Sequence, residues 1–330
     1  MHFYPWQDQS SDMLFAQMRE QKLPHAILLT GAAGIGKLHF ALVFVQRLFC
    51  KQATGLSPCG ECEACHLFKA GTHPDLKRIA LLEGKQSIAV DQIRDLVAYV
   101  SLTPHSAAKK VAVIEQAELL NVNAANSLLK TLEEPPDSSM LILVTHRPDL
   151  LLPTIRSRCQ TMLFATPDSA QASRWLSNEL QTDEVEVLLA LAGGAPLKAL
   201  VYAKNNVLEK RTLFFAELNQ LSSGKKTPIE VAKNWFKNDL DLTVDCLTSW
   251  VCDMIRLKAI NSENDKAIES DLLSNPDLTK ALTEMAKLPS LKNLLDFYQS
   301  LGKVSQLKKS NINSQMILEN LLIDWQKLCR

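Results

Sequence analysis

The chain has 330 residues, 46% hydrophobic and 22% charged, the balance of a soluble globular protein too long for one ordinary compact domain. Lys+Arg and Asp+Glu are 36 each, so zero net charge excludes a strongly basic chain that grips nucleic acid by phosphate neutralisation alone. No apolar run approaches the roughly 20 residues needed to cross a bilayer. The opening MHFYPWQDQS lacks a basic stretch followed by an apolar core, so the expected compartment is the cytoplasm, where thiols stay reduced.

HAILLTG (25–31) reads as a buried strand ending in a glycine turn, and LHFALVFVQRLF (38–49) as a helix buried beside a sheet. Between them GAAGIGK (31–37) satisfies the phosphate-binding loop pattern with Gly31, Gly34, Gly36 and Lys37. Leu38 then stands where a hydroxyl should hold magnesium. The glycines serve a tight strand-to-helix turn equally well, and the pattern alone does not separate weak nucleotide binding from none.

Cys50, Cys59, Cys62 and Cys65 follow with the spacing C-x8-C-x2-C-x2-C. Four thiolates complete the tetrahedron that zinc prefers, and with no position left for water the ion is structural. His66 and His73 lie nearby but are not needed to fill the four positions. The segment is an insertion without an adjacent Lys/Arg-rich helix, which argues against a nucleic-acid-binding zinc finger. Cys159, Cys246, Cys252 and Cys329 are scattered and read as buried thiols.

Further strands are predicted at LKRIA (76–80), KVAVIE (110–115), MLILVTH (140–146) and TMLFA (161–165), with helices at 90–102 and 123–134 between them. Alternating strands and helices predict an α/β domain with a parallel sheet covered on both faces. In an ATPase of this class the third core strand ends in Asp-Glu. Here Glu115 keeps a negative charge at the metal position on a longer arm, while Gln116 is an amide that cannot act as general base. Pro135-Pro136 stops the second helix.

After about residue 166 the spacing is helical almost to Arg330, with a turn at Gly193-Gly194 and Pro196 and polar loops at 222–228 and 261–266 (NSENDK). The expected division is an α/β domain over 1–165, carrying the insertion at 50–65, a small helical domain over 166–205 and a helical domain over 206–330. Trp175, Trp235, Trp250 and Trp325 are expected in a core or a subunit interface.

NAANSLLKTLEEPP, the triplet Ser157-Arg158-Cys159, the four-cysteine insertion, AGTHPD (70–75) and the ending NINSQMILENLLIDW resemble the clamp-loader branch of the AAA+ family along the whole chain. The resemblance implies an AAA+-type sheet, a helical lid and an all-helical collar, with Cys50, Cys59, Cys62 and Cys65 as zinc ligands. It implies that Arg158 is an arginine finger reaching a neighbouring subunit's ATP. Thr145 falls near the sensor at the end of the fourth strand. Lys198 lies where active members carry a sensor arginine, though a solvated helix residue is the simpler account of it. Leu38 and Gln116 depart from the motor pattern, so hydrolysis by this chain is not expected. The implied partners are gamma/tau-type motor subunits and a delta subunit in a hetero-oligomer, and through them a sliding clamp and primed DNA. The rival readings are an active ATPase motor subunit and a zinc-dependent DNA-binding module.

Overall fold

A computed structural model describes residues 2–237, 240–260, 273–309 and 313–329; the polar loop expected at 261–266 lies outside them. They form two compact units, Met1–Gln171 and Ala172–Arg330.

In the first unit, α1 (Asp8–Arg19) precedes β1 (Ala26–Gly31), α2 (Lys37–Phe49) and α3 (Glu63–Lys69). Then come β2 (Leu76–Ile79), α4 (Val90–Val100), β3 (Lys110–Ile114), α5 (Val122–Glu133), β4 (Ser139–Val144), the single turn α6 (Pro153–Arg156) and β5 (Gln160–Phe164). The sheet is wholly parallel in the order β2-β3-β4-β1-β5, with Ala26 beside Leu141, Ile27 beside Gln160 and Leu76 beside Val111. This is the parallel sheet between helices that the alternating strands and helices predicted. Strands β3 and β4 are buried along their whole length and β1 in all but Gly31, which is why their sequences are unbroken apolar runs rather than alternations. On the edge strand β5 only Met162 and Phe164 are buried, and Leu163 is exposed. Asn121 caps α5 by accepting the Ala124 N–H at 2.8 Å, and Pro135-Pro136 follow its end.

Asp75, fully buried just before β2, anchors the loop that leads into β3. Its carboxylate accepts the backbone N–H groups of His105 (2.7 Å), Ser106 (2.7 Å) and Ala107 (2.9 Å), and Lys110 Nζ lies 3.3 Å away. Burial alone would raise its pKa, but these donors hold it well below the usual carboxylate range. A depressed folded pKa adds stability that is present above the unfolded value of about 4 and is lost as pH falls below it. Asp75→Ala is therefore expected to cost about 3–5 kcal/mol, because it removes the counter-charge of the buried Lys110 and the acceptor of three loop amides. It should also flatten the acid limb of the stability curve. Denaturant melts across pH test both, and a loss below about 1 kcal/mol would contradict this account.

The second unit contains nearly all of α7 (Ser169–Glu179), then α8 (Val185–Leu191), α9 (Pro196–Lys204), α10 (Val207–Ser222), α11 (Pro228–Trp235), α12 (Leu240–Ile260), α13 (Thr279–Ala286), α14 (Leu291–Lys309) and α15 (Ser314–Leu328). One buried apolar cluster runs from Ala172 to Cys329 and encloses Trp235, Trp250 and Trp325, with Trp175 packed on its margin. Arg211, itself buried, is held by Asn275 and Asp277. No single helix among the described residues is long and apolar enough to cross a membrane.

Candidate nucleotide and metal sites

Strand β1 delivers Gly31 into the loop, and Gly36, in a left-handed conformation (φ 87°), caps α2. Gly31 and Gly36 are required by packing alone. A Cβ at Gly31 would collide with the Phe164 carbonyl on β5, and one at Gly36 would lie 2.8 Å from Gln7 Nε2 and from the Tyr4 ring. The segment before α1 lies on this loop, with Trp6 Nε1 donating to Ile35 O (2.9 Å) and Gln7 Nε2 to Gly36 O (3.0 Å).

Lys37 is buried, and its ammonium donates to the carbonyls of Gly31 (2.7 Å) and Ala32 (2.5 Å). Burial lowers its pKa to about 8, while the charge of Glu118 pulls the other way. The lysine that the loop pattern assigns to phosphate is thus engaged by its own loop. Leu38, partly buried on the first turn of α2, offers no oxygen.

Glu115 does not stand ready for a metal, as its charge had suggested. Both Nε (2.8 Å) and Nη2 (2.5 Å) of Arg78 on β2 reach its Oε1, so the carboxylate is neutralised by a neighbouring strand. Gln116 is exposed. The buried acid here is Glu118, four residues past β3, which sequence reasoning missed. His146 Nδ1 lies 2.6 Å from Glu118 Oε1. Burial would raise the Glu118 pKa, yet the side chains of His146 and Thr145 hold it below the usual range. The available signal was a lone glutamate followed directly by apolar residues after a buried strand. Thr145 is buried at the end of β4, its N–H on Leu29 O (2.9 Å) and its Oγ1 accepting from Arg147 N (3.0 Å).

Arg158 sits in the turn between α6 and β5, where its N–H donates to Ile155 O (3.1 Å). Its guanidinium folds back on its own unit, with Nη2 2.6 Å from Glu133 Oε1 and Nη1 donating to Thr154 O (3.0 Å). Lys198 on α9 is not the solvated helix residue expected. It pairs with Asp245 of α12 (2.8 Å), which also accepts the Tyr202 hydroxyl (2.5 Å).

Cys50 ends α2, Cys62 caps α3 and Cys65 lies on its first turn, while Cys59 precedes Gly60, whose φ is 80°. The four Sγ atoms lie within 4.8 Å of one another, and both Cys50–Cys62 and Cys59–Cys65 are 3.9 Å apart. Zinc–sulfur bonds of about 2.3 Å place tetrahedral sulfurs about 3.8 Å apart, so the donor set fits zinc. The backbone N–H of Cys59 reaches Cys50 Sγ and that of Cys62 reaches Cys59 Sγ, both at 3.3 Å. Against burial, the N–H groups of Cys65 and Lys51 bring the Cys62 thiol down to about 6, whereas burial pushes Cys65 up to about 12. His66 is exposed, and the buried His73 stacks on Phe49 (4.2 Å between centroids) while its Nδ1 accepts the Asp75 N–H, so neither joins the cluster.

Residues 6–168 match a family profile described as DNA polymerase III, delta subunit, and residues 205–327 match one described as DNA polymerase III, delta subunit, C terminal. The chain is 35% identical to DNA polymerase III subunit delta' of Pseudomonas aeruginosa, with 98% of each chain covered. It is 30% identical to the subunit of that name from Escherichia coli, over 98% of this chain and 95% of the relative. The Bacillus subtilis subunit delta' is 27% identical over 96% and 94%.

Proposed function

The chain belongs to the family of DNA polymerase III delta-prime subunits, and from that premise we propose that it is the stationary, non-hydrolysing subunit of a clamp loader. It helps place the sliding clamp on primed DNA, in the cytoplasm, alongside gamma/tau-type motor subunits and a delta subunit. The observation that carries the non-hydrolysing role is the loop itself. Lys37 is bound to the Gly31 and Ala32 carbonyls, Leu38 replaces the magnesium hydroxyl, and Gln116 replaces the base.

In this reading residues 166–205 form the lid and 206–330 the collar. Helix α14 supports a collar role because it carries two apolar stripes. Leu294, Phe297, Leu301 and Val304 are buried in the unit's own core, while Leu291, Leu295 and Tyr298, at helical spacing, remain exposed. Zinc held by Cys50, Cys59, Cys62 and Cys65 is structural, stapling the insertion to the end of α2. Arg158 acts in trans as the arginine finger. Thr145 and Lys198 stand at the sensor positions, with Thr145 Oγ1 accepting from Arg147 N and Lys198 paired with Asp245.

The isolated chain is expected to release phosphate from ATP no faster than its Lys37→Ala variant, and Leu38→Thr should change nothing because Gln116 still cannot take a proton. Turnover matching a motor subunit, and abolished by Lys37→Ala, would overturn the reading.

A further inference from the structure

Helix α5 ends in two carboxylates, Glu133 and Glu134, before Pro135-Pro136. That is the negative end of the helix dipole, where acids are disfavoured. One of them is compensated from outside the helix. Glu133 Oε1 holds Arg158 Nη2 at 2.6 Å, and the Thr154 carbonyl takes Nη1 at 3.0 Å. The guanidinium fork is therefore occupied on its own subunit, yet both side chains remain partly exposed, 34% for Arg158 and 49% for Glu133, so a competitor can reach them. The backbone beneath is fixed, with the Arg158 N–H on Ile155 O and Cys159 buried beside it. Only the side chain is left to move.

We propose that Glu133 is a positioning residue that parks Arg158 on its own subunit until the polyphosphate of a neighbour's nucleotide displaces the carboxylate. This rests on the arginine-finger reading above. A γ-phosphate carries more charge than a carboxylate and offers the same planar fork more acceptor oxygens, so the exchange runs toward an occupied neighbour and reverses once phosphate leaves. Exposed ion pairs bias such an equilibrium by about 1.4- to 5-fold, enough to tune engagement without blocking it. The carboxylate is released before the chemical step, so the cost is common to the bound and transition states and appears in KM rather than kcat.

The test uses the reconstituted clamp loader in which only the adjoining motor subunit can hydrolyse ATP. Glu133→Gln is expected to lower the KM for ATP about 1.4- to 5-fold with kcat unchanged. Glu133→Asp should restore part of it, and in an Arg158→Ala background Glu133→Gln should have no effect. Thermal melts confirm that each variant is folded. A KM that is unchanged or raised in Glu133→Gln overturns the proposal, as does the same KM shift without Arg158. If Arg158→Ala by itself leaves hydrolysis untouched, the finger reading fails instead, and the two failures are distinguishable.

Discussion

Arg158→Ala is expected to slow ATP hydrolysis at the adjoining motor site of the assembled clamp loader by about 10³–10⁵-fold, the range of arginine fingers in related phosphoryl transfers. An arginine finger stabilises charge that develops on the γ-phosphate, so the loss is expected in the catalysed rate and not in assembly. Folding should survive, because the partly exposed pair with Glu133 contributes at most about 1 kcal/mol. Zinc content should be unchanged, since Arg158 and the four cysteines share no contact among those described. Arg158→Lys should rescue little, because an ammonium cannot reproduce the two-pronged fork. The measurement is clamp- and DNA-stimulated hydrolysis with one competent motor site at a time. An adjoining site that runs at the unmutated rate with alanine at 158 refutes the assignment.

Removing the metal has the next largest expected effect. The purified chain should carry one zinc, and a strong chelator or Cys62→Ser should release it. In small zinc peptides such binding contributes about 10–16 kcal/mol, and less where a fold already exists. The first unit has its own apolar core, including Ile93, Leu96 and Leu128 between sheet and helices, so global unfolding is not the expected outcome. The insertion between Cys50 and Lys69 should open instead. Apart from the buried Ala64 and Phe68, it is tied to α2 by Arg47 Nε on Gly55 O (2.8 Å). Hydrogen exchange should show α3 losing protection while β1, β3 and β4 keep theirs. Acid should release the metal too, because only thiolates bind it. Metal analysis that finds no zinc under reducing conditions would sink this prediction.

The positions of the five strands, the helices α2, α4 and α5, the proline stop after α5 and the four-cysteine spacing were legible in the chain, whereas the short helices α3 and α6 were not. Also legible were the missing hydroxyl at Leu38 and the missing base at Gln116, because absent chemistry is visible in residue identity alone. These signals are local. A buried strand writes itself as an apolar run, a metal turn as C-x-x-C, and a helix stop as proline.

The partners of the charged groups were not legible. Glu115 looked available until Arg78 reached it from β2, and Lys198 looked solvated until Asp245 closed on it from α12. Glu118 becomes a buried acid only when folding sets it against His146, and Arg158 is turned back onto its own unit by Glu133, 25 positions earlier. Each pair joins segments far apart in sequence, and a long charged side chain can point several ways from one backbone position. Periodicity records which face of an element is apolar, whereas the direction of a salt bridge is decided only when burial makes an unpaired charge costly and leaves one counter-charge within reach.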